Sequence, residues 1–124
     1  MAWPYGAAKK KVFRSARHGD VTLYRSVWAH ITEKNHRKLV ELNNSEIGPT
    51  LRDPDEIRQS QHARDKNAHV YYRKPPRLRI GPGATVSPSR LWFAVWIDAE
   101  ERRIKTMYMT DRRTGGKVIY KRPR

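Results

Sequence analysis

The amino-acid sequence predicts an α+β domain in which N-terminal helices pack on an antiparallel sheet of about four strands. Apolar residues recur at helical spacing within residues 25–36, and the sequence DPDE at residues 53–56 is typical of a helix start. Three segments of the second half, residues 68–74, 91–97 and 104–110, have the patterns of β-strands. Helices followed by a run of strands indicate an α+β layout.

The length of 124 residues suits one domain and leaves no room for a second. We interpret residues 1–19 as a basic, irregular lead-in in which Val12 and Phe13 can begin a strand. Residues 20–124 are interpreted as a single domain. A short strand is expected at residues 21–24, because Val, Thr and Tyr favour extended backbone.

Three helices are expected before the sheet. In the first, residues 25–36, Val27 and Ile31 form an apolar face and His30 lies beside it. A brief second helix is predicted at residues 46–51. The third begins at residue 53 and ends near Ser60, since its proline suits the first helical position and its acids complement the helix dipole.

The strand patterns also predict which side chains share a face. Residues 91–97 are apolar on both faces, as a central strand would be. In residues 68–74, Val70 and Tyr72 share one face, whereas His69, Tyr71 and Arg73 share the other. In the strand at residues 104–110, the predicted faces are Ile104, Thr106, Tyr108 and Thr110 on one side and Lys105, Met107 and Met109 on the other. A last short strand is expected at residues 118–120.

The formal charge of +15 is concentrated at the two ends of the chain. Residues 1–17 carry +5, residues 112–124 carry +6, and neither stretch contains an acid. The ends therefore hold 11 of the 15 excess charges, and the middle is nearly balanced. So strong a charge on a small domain indicates a polyanion as partner, with nucleic acid first (RNA, with DNA possible) and an anionic membrane a distant second.

Several classes of protein are excluded by composition. Cysteine is absent, which excludes disulfides and thiolate metal sites. The five histidines form no i, i+4 pair, so we expect no metal and no cofactor. The longest apolar run has seven residues, residues 91–97, against the ~20 needed to span a bilayer. With no signal peptide visible at residues 1–11, we expect a cytoplasmic protein with no membrane partner.

An ordered set of motifs runs from about residue 20 to residue 120. Its members are the strand at residues 21–24, the segment WAHI at residues 28–31, His36, residues 50–60, the segment YYRK at residues 71–74, and the strands at residues 91–97 and 104–111. This set resembles the small phage- and toxin-associated nucleases of the barnase–EndoU–colicin–RelE-like fold. The resemblance implies an endoribonuclease that cleaves RNA through its 2′-hydroxyl without a metal ion. It also implies an acidic antitoxin or immunity protein as partner.

Candidate site residues follow from the resemblance and from side-chain chemistry. The expected catalytic residues are His30, Tyr71, Arg73, Thr110 and Ser60. Histidine suits proton transfer near neutral pH, arginine suits bidentate contact with phosphate, and hydroxyls can bind phosphate or position a base. The residues expected to bind nucleic acid are His36, Thr106, Tyr108, Lys9, Lys10, Lys11, Arg14, Arg112, Arg113 and Lys117.

Less specific interpretations remain open. His30 can be a structural histidine, and a polar strand face is most often simply solvated. A non-catalytic RNA- or DNA-binding module is the main alternative function, and a protein that masks a nucleic-acid site is a third. Convergence of His30, Tyr71 and Arg73 in one pocket would favour cleavage over binding.

Overall fold

Two β-sheets and three short helices make up the part of the chain that the computed structural model describes, residues 3–33, 38–87 and 89–123. The strands are β1 (Lys10–Ser15), β2 (Gly19–Tyr24), β3 (Glu56–Gln59), β4 (Ala68–Arg73), β5 (Leu78–Gly81), β6 (Ala84–Val86), β7 (Trp92–Asp98), β8 (Arg103–Thr110) and β9 (Lys117–Lys121). The helices are α1 (Arg25–Thr32), α2 (Lys38–Leu42) and α3 (Ile47–Arg52). Short 3-10 turns lie at Asn44–Glu46 and Ala63–Asp65.

The main sheet has seven strands in the order β1-β2-β8-β7-β4-β3-β9. Its neighbours pair antiparallel except β2 and β8, which run parallel where Thr22 lies opposite Arg103. Strands β5 and β6 form a separate two-stranded hairpin. The sheet is therefore mixed, and its two edges are β1 and β9.

The predicted α+β domain, with N-terminal helices on a four-stranded antiparallel sheet, is wrong. The described residues are mostly β-structure, with nine strands and only three short helices. One reason is the basic lead-in, where residues 10–15 pair along their whole length with β2 and form an integral edge of the sheet. The helix predicted at residues 25–36 ends at Thr32 within the described residues, and His36 lies outside them. No described helix is long and apolar enough to cross a membrane.

The second reason is β3, which replaces the helix predicted from residue 53. Glu56 and Ile57 are buried, and β3 forms backbone hydrogen bonds with β4 on one side and β9 on the other. Asp53 does not begin a helix but ends α3, where its N–H donates to the Pro49 carbonyl at 2.8 Å, and its carboxylate pairs with Arg122 at 3.0 Å. Pairing on both edges satisfies the backbone of this short segment as fully as a helix would.

The helices pack on one face of the main sheet, which we call the helix-side face. This face carries the principal core, whose buried members are Val21, Leu23, Trp28, Ile31, Val40, Ile47, Leu51, Ile57, Tyr71, Phe93, Val95, Ile97, Ile104 and Met107. On the opposite face, Val70, Tyr72 and Ala94 are buried beneath Trp92, Trp96 and Tyr108. The predicted alternation of β4 and the two-sided burial of β7 are thus confirmed.

A β-bulge changes the predicted faces of β8. Trp96 lies opposite Thr106, but its neighbour Ile97 lies opposite Ile104, so Lys105 is an extra residue in the ladder. Ile104 therefore packs in the helix-side core, whereas Thr106 lies across the sheet from it. The prediction that these two side chains share a face is wrong for this reason.

Candidate active site

The turn between β1 and β2 brings His18 into contact with Tyr71 on β4. The Nδ1 atom of His18 lies 2.5 Å from the Tyr71 hydroxyl oxygen, and the rings of His18 and His69 lie 4.7 Å apart between centroids. His69 and Tyr71 are two residues apart in β4 and share its helix-side face. We call His18, His69 and Tyr71 the His–Tyr cluster.

Local hydrogen bonds hold the turn that carries His18. The His18 backbone N–H donates to the Ser15 hydroxyl at 2.9 Å, and this hydroxyl donates to the Gly19 carbonyl at 2.8 Å. Gly19 has a φ of +66°, which glycine adopts without strain. The Ala16 N–H donates to the Leu51 carbonyl at 2.8 Å, so the turn is also tied to the end of α3.

Two arginines lie close to the cluster. Arg17 stacks over the ring of Tyr120 in β9, with 4.8 Å from its guanidinium carbon to the ring centroid. Arg102 has a φ of 55°, an uncommon backbone conformation for a residue with a side chain. Its N–H donates to the Asp98 carbonyl at 2.7 Å, and its carbonyl accepts from Thr22 at 2.9 Å. This tight turn leaves the Arg102 guanidinium beside Gly19, the residue after His18.

The cluster is neutral at neutral pH. Burial, together with the nearby charges of His69, Arg102 and Arg17, lowers the pKa of His18 to about 4. Burial also lowers the pKa of His69, although the backbone of Asn67 opposes this. Burial raises the pKa of Tyr71, against hydrogen bonds from Ser15 and the Arg17 backbone. The Tyr71 hydroxyl therefore keeps its proton and can donate it to Nδ1 of His18.

This arrangement combines the parts that proton-transfer chemistry on an anion requires. Because Nδ1 of His18 accepts from the Tyr71 hydroxyl, Nε2 carries the hydrogen of neutral His18, and His69 is the imidazole that can accept a proton. The guanidinium groups of Arg102, beside Gly19, and of Arg17, over Tyr120, are close enough for their charges to act on His18, and they supply positive charge for a bound anion. A phosphate bound here would offset the charges that lower the pKa of His18, and it would thereby favour the imidazolium form.

Of the predicted catalytic residues, the structure places Tyr71 in the cluster and the others elsewhere. Arg73 shares the strand face of Tyr71, but its guanidinium pairs with Glu46 at 2.6 Å. His30 is exposed on α1, and within the described residues it contacts neither Tyr71 nor Arg73. Ser60 follows β3, where its hydroxyl accepts the N–H of His62 at 3.2 Å. The three residues His30, Tyr71 and Arg73 are thus not brought into one pocket.

The polar face predicted on β8 lies across the sheet from Tyr71 and Arg73. Tyr71 aligns through Val95 with Met107, whereas Tyr72 aligns through Ala94 with Tyr108. Tyr108 consequently packs on the opposite face. Thr106 lines a cavity there with Trp96, and Thr110 exchanges hydrogen bonds of 3.1 Å with the Arg112 backbone. The two polar faces do not form one concave surface.

A cleft on the opposite face joins an aromatic ring to several cations. The Arg113 guanidinium carbon lies 4.2 Å and the Lys74 ammonium 5.0 Å from the centroid of Trp92. Lys121 and Arg122 complete the cationic lining of a cleft of about 260 Å³. We call this the Trp92 cleft. Aromatic rings beside cations are typical of surfaces that bind single-stranded nucleic acid.

The remaining predicted nucleic-acid-binding residues are spread over both edges of the sheet. Lys9, Lys10, Lys11 and Arg14 are exposed in or beside β1, Lys117 begins β9, and Arg112 lies in the loop before it. The contact of Arg17 with Tyr120 shows that the β1–β2 turn reaches β9. The sheet therefore curls, and it brings parts of the two basic chain ends together. His36 lies outside the described residues.

Sequence reasoning did not select His18, His69 or Arg102 as site residues. His69 shares a strand face with Tyr71 and Arg73, and this pattern in the sequence could have identified it as a site residue. No comparable signal marks His18, which lies 53 residues from Tyr71 in the chain. Their contact depends on the folding of a hairpin across the sheet.

Comparisons of the chain with protein-family models, with curated proteins and with solved structures give no match. The resemblance to phage- and toxin-associated nucleases therefore stays a prediction. Functional interpretation rests on the geometry of the described residues.

Proposed function

We propose that this protein is a metal-independent endoribonuclease whose reaction centre is the His–Tyr cluster. One observation carries the proposal: two imidazoles and a tyrosine hydroxyl meet beside the guanidinium groups of Arg17 and Arg102. The charge of +15 supports RNA as the anionic substrate. The proposal includes action in the cytoplasm and an acidic inhibitor protein that covers the basic surface.

In the proposed reaction, the 2′-oxygen of RNA forms a bond to the adjacent phosphorus and the bond from phosphorus to the 5′-oxygen breaks. The imidazole of His69 accepts the proton of the 2′-hydroxyl, because Nδ1 of His18 is already hydrogen-bonded to the Tyr71 hydroxyl. The other is protonated once the bound phosphate offsets the arginine charges, and it donates its proton to the leaving 5′-oxygen. Arg17 and Arg102 stabilise the charge on the pentacoordinate phosphorus. The products are a 2′,3′-cyclic phosphate and a 5′-hydroxyl.

The test is incubation of RNA with the purified protein in EDTA, followed by analysis of the product ends. His18→Asn and His69→Asn are each expected to slow cleavage by about 10²- to 10⁴-fold, the usual contribution of a positioned acid or base. Lys38→Ala is the control, because Lys38 is exposed on α2 and lines neither the cluster nor a pocket among the described residues. His30→Ala tests the alternative site. If this variant lost cleavage and His18→Asn did not, the reaction centre would lie on α1 and not at the His–Tyr cluster. The pH–rate profile should report two apparent pKa values that belong to the imidazole pair.

A second function, RNA or DNA binding without cleavage, is favoured by the Trp92 cleft. This cleft includes Lys74, which follows the end of β4. Lys74 is five residues from His69 along the strand, or about 17 Å at ~3.3 Å per residue. Intact RNA at high protein concentration, together with salt-sensitive binding that Trp92→Leu weakens, would establish this function instead. Cleavage that persists in both His18→Asn and His69→Asn would likewise contradict the proposed centre.

A further inference from the structure

A cavity beside Trp96 lies at the same end of β4 as the His–Tyr cluster. Ala68 lines this cavity from the opposite face of the sheet, and the next residue, His69, belongs to the cluster. The cavity has a volume of about 240 Å³. Pockets for drug-sized ligands have ~300–1,000 Å³, so this one suits a single ring system rather than a whole nucleotide. We call it the Trp96 cavity.

The ring of Trp96 is held in place before any ligand arrives. Its indole N–H donates to the Tyr108 hydroxyl at 2.8 Å. Gly115 packs so closely that a Cβ there would lie 3.3 Å from the edge of the indole. An aromatic wall fixed in this way can stack a planar base without losing side-chain freedom on binding.

Polar groups surround the ring in a pattern that suits the edge of a base. The bulge in β8 turns Lys105 toward the same cavity as its neighbour Thr106, although successive residues of a regular strand point to opposite faces. The Lys105 ammonium lies 3.7 Å from the Asp65 carboxylate. Together they offer a donor and an acceptor at the rim, and the hydroxyl of Ser60 lies nearby.

We propose that the Trp96 cavity binds one unpaired nucleobase of an RNA strand that passes around this end of the sheet to the His–Tyr cluster on the other face. This inference rests on the proposed function for its substrate class. The base stacks on Trp96, and the Asp65 carboxylate accepts an N–H of an exocyclic amino group. Bases with that group (adenine, cytosine and guanine) are therefore preferred over uracil at this position.

The first test is an NMR titration of the protein with each of the four nucleoside monophosphates. The signal observed is that of the Trp96 indole N–H, which is assigned by its absence in Trp96→Phe. Saturable shifts are expected with the three amino-bearing bases, weaker ones with uridine monophosphate, and none with ribose 5-phosphate. Trp96→Leu should weaken binding by about 10- to 100-fold, as loss of one stacked base does. Tyr24→Leu is the control, because this exposed aromatic side chain lies in β2, outside both the Trp96 cavity and the Trp92 cleft.

The second test separates this inference from the proposed function. Asp65→Asn, at an exposed position that tolerates change, should reduce the preference for amino-bearing bases in both binding and cleavage. Base-dependent shifts without RNA cleavage would support the cavity and contradict the ribonuclease. Cleavage with equal rates at all bases, unchanged in Trp96→Leu and Asp65→Asn, would overturn the cavity alone. Equal shifts with ribose 5-phosphate would also overturn it, because they would indicate a phosphate site.

Discussion

His18 and Tyr71 lie 53 positions apart in the chain, yet the imidazole Nδ1 and the phenol oxygen are separated by 2.5 Å. His18 lies in the turn between β1 and β2, and β8 and β7 separate β2 from β4, the strand of Tyr71. The contact forms because the β1–β2 hairpin folds over the helix-side face, where Ala16 also bonds to the end of α3. A neutral, partly buried imidazole in this position has consequences for stability as well as for chemistry.

The first prediction concerns acid stability. The pKa of His18 is lowered from 6.5 to about 4 in the folded protein, mainly by burial, so the unfolded chain binds this proton more readily. The stabilisation from neutral His18 is therefore complete above pH 6.5 and is lost as the pH falls toward 4. Melting temperatures at pH 7, 5.5 and 4 should fall less steeply for His18→Asn than for the wild type. His62→Asn is the control. If both variants changed the pH dependence of the melting temperature equally, the loss of stability in acid could not be attributed to His18.

The second prediction concerns the buried carboxylate of Glu56. It is 3% exposed, lies 2.7 Å from Arg58 and 3.3 Å from Arg113, and is the least exposed acid of the described residues. Glu56→Gln should lower the free energy of unfolding by about 1–3 kcal/mol, because the two arginines lose their charged partner.

Urea unfolding with an unchanged m-value measures this loss. Glu101→Gln is the matched control, since that carboxylate pairs with Arg103 at 2.5 Å but is 58% exposed. Its expected cost is below about 1 kcal/mol. Similar costs for both variants would show that burial does not strengthen the Glu56 interactions.

The third prediction concerns Gly115, in the loop between β8 and β9, which packs on the face of the sheet opposite the helices. A Cβ at Gly115 would lie 2.3 Å from Val70 Cγ1, whereas a Cβ at Gly81 would meet nothing within 4 Å. Gly115→Ala should therefore destabilise the protein by about 1–3 kcal/mol through overpacking, and it should shift the Trp96 indole signal. Gly81→Ala should change stability by less than about 0.5 kcal/mol. Thermal unfolding and NMR of the two variants provide the measurement. If Gly115→Ala left the stability unchanged, the loop that contains Gly115 would have to move away from Val70 at no cost.

The fourth prediction concerns the Trp92 cleft. Neutralising Lys74 or Lys121 should weaken binding of single-stranded RNA, because each cation that contacts a phosphate releases counterions. The slope of the logarithm of affinity against the logarithm of salt concentration should become less steep by about 0.7 per lost contact. Lys38→Ala on the exposed side of α2 should leave the slope unchanged. Equal slopes for all three variants would place RNA elsewhere on the surface.

Local patterns in the sequence determined the strands β4, β7 and β8, because alternation and two-sided burial are properties of a few consecutive residues. The same alternation correctly placed Tyr71 on the face of β4 opposite Val70 and Tyr72. The β3 segment escaped detection, since the signal of residues 53–56 for a helix start is local, whereas the pairing of β3 with β4 and β9 is not. The switch of Ile104 to the helix-side core depends on one extra residue in the ladder, which no periodic pattern reveals.

The sequence by itself also determined that excess positive charge lies at the chain ends, which is the basis for the prediction of a polyanionic partner. Only the tertiary structure decided where chemistry can occur. It brought His18 to Tyr71 and His69, and it moved Thr106 and Tyr108 to the other face. The physical reason is that such contacts join residues tens of positions apart. They are set by the curl of the sheet and the packing of the β1–β2 hairpin, to which every part of the core contributes.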